Sequence, residues 1–98
     1  MNTTQPSEVR AELARPPMHT LVLHNAQDVS FQQVWAVLGR VFGRPILEIR
    51  ALALQAHDQG TADLSTATQE VIASQRALCI EASRAEGCPQ LPFSVREG

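Results

Sequence analysis

Between Leu21 and Phe31 the hydrophobic period of the chain changes, and that change sets much of what the chain can become. Leu21-Val22-Leu23 is an extended apolar run, His24-Asn25-Ala26-Gln27-Asp28 is a polar break, and Ser30-Phe31 opens a segment of helical spacing. A strand that ends in a polar turn and feeds a helix sets short polar side chains at an exposed lip beside a core. His57 falls near the end of the next helical segment. The turn and that histidine together are the candidate for a small binding site.

The rest of the chain is read outward from this stretch. Residues 1–17, MNTTQPSEVRAELARPP, are polar, lack sustained periodicity and close on two prolines. They read as a mobile tail with a transient helical turn around Glu8–Ala14. Pro16-Pro17 marks where the folded domain, 18–98, begins. Met18–His24, rich in Leu and Val, is the first predicted strand. Ser30 is a good N-cap. Phe31, Val34, Trp35, Leu38, Val41 and Phe42 then recur at helical spacing as one apolar face, with Gly43 as the stop.

Pro45 is expected in the first turn of the next helix, where its missing N–H does no harm. That helix runs from Ile46 to Asp58 with Ile46, Ile49, Leu52, Ala53 and Ala56 on its apolar face, and Gln59-Gly60 ends it. So short a link makes the two helices a hairpin-like pair. Thr61–Thr66 sets Ala62 and Leu64 against Thr61, Asp63 and Ser65, as a brief strand or an extended loop. Thr66 or Thr68 caps a third helix, whose shared face is Val71, Ile72, Gln75, Leu78, Cys79 and Ala82, and Gly87 ends it before Pro89. Leu91–Val95 is the last strand, which Pro92 confines to an edge or to a first position. The order β-α-α-β-α-β predicts an α+β fold, a small antiparallel three-stranded sheet packed on three helices.

Composition removes several functions. At 98 residues and 44% apolar the chain suits one domain. Its net charge is −2 and its eight basic residues are scattered arginines, so nucleic acid is not an expected partner. No apolar run is long enough to span a bilayer and the N-terminal stretch lacks a signal peptide's pattern, so the expectation is a cytoplasmic protein without a membrane partner. Cys79 on a helix and Cys88 in a Gly-Cys-Pro turn form neither a CxxC pair nor a zinc knuckle, and read as two reduced thiols. There is no phosphate loop, GxSxG elbow or HExxH motif. His24 and His57 lack a third ligand at recognisable spacing, so no metal or other cofactor is expected. Cys79 lies on a face that should be buried, a poor place for a nucleophile. The expectation is not an enzyme.

The site residues each have a plain structural reading. By periodicity His57 sits at the rim of its helix's apolar face, as a half-buried residue whose charge meets the helix dipole. Asn25 is an Asx turn that ends the strand. Phe31, Val34 and Trp35 are ordinary core.

Asn25 closing an apolar strand, the helix from Ser30, the run Leu54-Gln55-Ala56-His57-Asp58-Gln59-Gly60, Thr68 with Glu70-Val71, and Pro89 resemble the ClpS family, adaptors of the ClpA–ClpP ATP-dependent protease. The resemblance runs without gaps from about Met18 to Val95. It implies a fold similar to the C-terminal domain of ribosomal protein L7/L12, and a monomer that binds the N-terminal domain of a ClpA-type AAA+ unfoldase. It further implies recognition of N-degron peptides, substrates whose first residue is bulky and hydrophobic. In the resemblance Asn25 and His57 contact the free α-amino group, Phe31, Val34, Ala53 and Ala56 line the side-chain pocket, and Glu70 meets the unfoldase.

The chain departs from the family pattern at the centre of this site. Two acidic residues typically follow the asparagine, where Ala26 and Gln27 stand here, and Asp28 is the acid left to reach the amine. Phe31 stands in place of a methionine, and Ala53 in place of a larger residue. On the unfoldase surface the basic companion of Glu70 is replaced by Gln75, with Arg76 one place on. These changes keep a second function open: a diverged regulator that docks on the unfoldase or another protein without recognising a free amine.

Overall fold

Seven residues of extended backbone, Met18–His24, form β1, and every other element is placed against them. The computed structural model describes residues 16–98. After β1 come α1 (Phe31–Phe42), α2 (Ile46–Gln59), β2 (Thr61–Thr68), α3 (Gln69–Ala85) and β3 (Phe93–Glu97). β1 is the central strand of an antiparallel sheet of order β2-β1-β3. The tail reading for residues 1–17 falls, apart from its two prolines, outside the described residues.

Alternation along β1 sorts its side chains to two faces. Leu21 and Leu23 join the core with Val34, Val37 and Leu38 of α1, Ile49, Ala53 and Ala56 of α2, and Ile72, Cys79 and Ala82 of α3. Each large apolar side chain buried there contributes roughly 1.5–3 kcal/mol. Thr20 and His24 face the other way. The β1–β2 register slips between Leu21 and Val22, so that Leu21 opposes Ser65 and Val22 opposes Asp63, and Leu64 is the extra residue of a bulge. Arg44, in the link between α1 and α2, donates Nη2 to the Leu64 carbonyl at 2.5 Å.

The helix ends follow from their residues. Ser30 and Gln33 form a reciprocal capping box at the start of α1. Gly43 ends α1 in the left-handed conformation, at φ 60°. Pro45 stands one residue ahead of α2 rather than in its first turn, and its carbonyl accepts the Ile49 N–H at 3.1 Å. The alternation at Thr61–Thr66 is a full strand that continues to Thr68.

Three of the expected faces are shifted. On α1, Val37 is fully buried while Phe31 keeps 39% of its surface. On α2, Ile46 is exposed. On α3, Val71 and Leu78 face outward and the buried stripe is Ile72, Cys79, Ala82 and Ser83. Ser83 tolerates burial because its hydroxyl donates to the Cys79 carbonyl at 2.7 Å. The last strand begins at Phe93 rather than Leu91. Pro92 has no N–H to give a ladder, and its carbonyl instead accepts the His24 N–H at 3.0 Å.

Candidate functional site

Two backbone hydrogen bonds assemble the site. The N–H of Asn25, one residue beyond β1, donates to the Gly60 carbonyl at 2.9 Å. Gly60 takes φ 91° to reverse the chain after α2, a conformation costly for any side chain, and its own N–H donates to Ala56 at 3.0 Å. The strand-end turn is thereby tied to the last turn of α2, which carries His57. On the other side the Pro92 carbonyl holds His24 and brings Leu91 to the same place.

The result is a cleft of 350 Å³ between the turn and the α1–α2 pair. Its inner wall is apolar: Leu23, Val34, Ala53, Ala56 and Leu91, all buried. Two alanines on α2, facing a valine on α1, leave the space. Its rim is polar and exposed, with Asn25, Gln27, Asp28 and His57, and Phe31 closes one side. The Phe31 and His57 rings meet edge-on, centroids 5.4 Å apart at 69°. Asp28 takes φ 62°, a left-handed conformation that aspartate tolerates better than most side chains.

All seven residues expected to hold a ligand, Asn25, Asp28, Phe31, Val34, Ala53, Ala56 and His57, line this one cleft. His57 is exposed rather than half-buried. Asp28 is the only acid among the described lining residues. Among the described residues, no hydrogen bond is made by the side chains of Asn25, Asp28 or His57. An amide oxygen, a carboxylate and a neutral imidazole nitrogen are acceptors, the complement of an ammonium group with three donors. His24 also reaches the cleft, but its Nε2 is bonded to the Ser94 hydroxyl at 2.6 Å. The described residues contain no cluster of three or more side chains able to hold a metal.

Leu91 was not among the expected lining residues. The only sequence signal for it is an apolar residue held just ahead of Pro92, outside the strand proper. The cysteines are free and buried, and burial pushes the Cys79 thiol up to about 12.

None of Glu70, Gln75 and Arg76 lines the cleft. Glu70 is exposed in the first turn of α3, Gln75 is half-buried, and Arg76 donates Nε to the Phe93 carbonyl at 3.3 Å. No helix among the described residues is long and apolar enough to cross a membrane.

Comparison with known proteins agrees with this architecture. The family model for the ATP-dependent Clp protease adaptor protein ClpS matches residues 14–95. The ATP-dependent Clp protease adapter protein ClpS of Desulforapulum autotrophicum is 29% identical over 83 residues, 85% of this chain and 80% of that protein. The protein of the same description from Nitratidesulfovibrio vulgaris is 30% identical over 81 residues, 83% of this chain and 81% of that one. Among solved structures, Agrobacterium tumefaciens ClpS2 bound to L-phenylalaninamide superposes with a TM-score of 0.79 at 21% identity, covering 86% of this chain and all of that one.

Proposed function

The chain belongs to the ClpS family of Clp protease adaptors, and we propose that its cleft holds the N-terminal residue of a substrate. In this reading the protein is a monomeric, cytoplasmic, non-enzymatic adaptor. It presents N-degron substrates with a bulky hydrophobic first residue to the N-terminal domain of a ClpA-type unfoldase. The observation that carries the reading is the pairing within one cleft of an apolar wall with a rim of acceptors left without partners among the described residues. The α-amino group is held by Asn25 Oδ1, an imidazole nitrogen of His57 and the Asp28 carboxylate. The side chain enters between Phe31, Val34, Ala53 and Ala56. The ligand of the structural neighbour, L-phenylalaninamide, has this chemistry, a free α-amino group beside an aromatic side chain. Unfoldase docking is assigned to the α3 surface with Glu70, Gln75 and Arg76, away from the cleft.

A second reading has one observation in its favour. Ala26 and Gln27 line the cleft where two acids would strengthen its hold on an ammonium group. Hydrogen bonds to a charged group contribute about 1.5–3 kcal/mol each, so their absence suits a regulator that docks through α3 and ignores free amines. A degradation assay separates the two. A ClpA-type unfoldase with its peptidase is supplied with a fluorescent protein beginning with Leu. Faster loss of fluorescence on adding this chain supports delivery, whereas binding to the unfoldase without any gain in rate supports the regulator.

A further inference from the structure

We infer that the surface leading out of the cleft reads the substrate beyond its first residue, with Arg50 selecting an acidic side chain at the third or fourth position. The inference rests on the cleft holding a peptide N terminus and adds to that reading a downstream specificity. Three contacts form a continuous row of flat groups from the cleft mouth along the α1–α2 seam. His57 meets Phe31 at 5.4 Å, Phe31 stacks on Trp35 at 6.3 Å, and the Arg50 guanidinium lies over the Trp35 ring at 4.6 Å. Beside the row, Leu47 and Leu54 on α2 are 74% and 51% exposed. The row is therefore continuous with the cleft and ends at a cation.

Arg50 is set up for a carboxylate. It is exposed, and no ion pair occupies it among the described residues. The residues three and four positions away on α2, Ile46, Leu47, Ala53 and Leu54, are all uncharged. Stacking on Trp35 engages the face of the guanidinium and leaves its N–H edges free for the bidentate geometry a carboxylate prefers. From Arg50 to His57 is about 10 Å along the helix at about 1.5 Å per residue. An extended peptide advances about 3.3 Å per residue, so one anchored at His57 passes Arg50 with its third or fourth residue.

The test uses Leu-starting decapeptides with Asp, Gln or Lys at positions three and four, each with an N-acetylated twin, titrated against the full chain and its Arg50→Gln and Arg50→Glu variants. Arg50 is exposed, so neither substitution threatens the fold. For the unaltered chain the expected order is Asp, then Gln, then Lys, with about tenfold between the extremes, narrowing as salt is raised. Arg50→Gln should level the series and Arg50→Glu should invert it. Equal affinity across the three free-amine peptides, or the same order in all three proteins, overturns the inference while the acetylated twins still report on the cleft. Failure of every free-amine peptide to bind overturns both.

Discussion

The sheet face turned away from the helices and the cleft at the end of β1 use the same kinds of residue to opposite ends. On the face away from the helices, polar side chains close on one another. The Thr20 hydroxyl is 2.8 Å from that of Thr66, and the His24 imidazole is 2.6 Å from Ser94. Arg96 of β3 clasps Asp63 of β2 with bonds of 2.6 and 2.8 Å, spanning the central strand. At the end of the same strand, Asn25, Asp28 and His57 close on nothing among the described residues, and Phe31 stays exposed beside them. Polar groups that satisfy each other hold a sheet together. Polar groups left open around an apolar hollow are available to a ligand, and this difference in satisfaction is what marks the site.

The contrast makes predictions that pull stability and binding apart. The largest effect is expected for His57→Ala, which removes one acceptor from a charged donor. Affinity for a Leu-starting peptide should fall about tenfold to over a hundredfold, with the melting temperature unchanged. A large drop in melting temperature would show that His57 belongs with the structural polar groups. Next is the paired substitution Ala26→Asp with Gln27→Asp, which should raise affinity for the free-amine peptide about tenfold. Unchanged affinity would remove the argument from missing acids.

On the closed face the expected effect is in stability. Thr20→Val keeps the shape but removes the hydroxyl's contact to Thr66 and its hydrogen bond to the Gly98 carbonyl, at a cost of about 1–2 kcal/mol, read as a fall of roughly 4–16 °C in melting temperature. Peptide affinity should be unaffected. The smallest effect concerns Asp63, whose carboxyl is held below the ordinary value of 3.8 by its hydrogen bond from Arg96 and by the guanidinium's charge. A carboxylate depressed in the folded state adds stability above its unfolded value and loses it as pH falls through the folded one. Both side chains are about half exposed, so the gain is slight. Arg96→Gln should therefore lower the melting temperature slightly at neutral pH and leave it unchanged in strong acid.

Local signals carried the fold a long way. Ser30, Gly43 and Gly60 each announce a helix end within a few residues, and the Leu- and Val-rich run Met18–His24 announces β1. The sequence could not display what depends on distant partners. The burial of Val37 and Ser83, the bulge at Leu64 and the Arg96–Asp63 clasp arise only when elements far apart in the chain meet. The cleft divides in the same way. Asn25 and His57 stand out as residues at element ends, but their meeting depends on the bond from Asn25 to the Gly60 carbonyl. Leu91 enters the wall from beyond the strand, its N–H tied to the Cys88 carbonyl and the next residue's carbonyl tied to His24.

The most direct measurement is a fluorescence-anisotropy titration of the purified chain with a Leu-starting decapeptide and its N-acetylated twin. An acetyl cap removes the ammonium and leaves the rim acceptors unpaired, so the free peptide should bind at least about tenfold more tightly. Equal affinity for the two, or no binding of either, would contradict the claim that the open polar rim exists to hold a free amine.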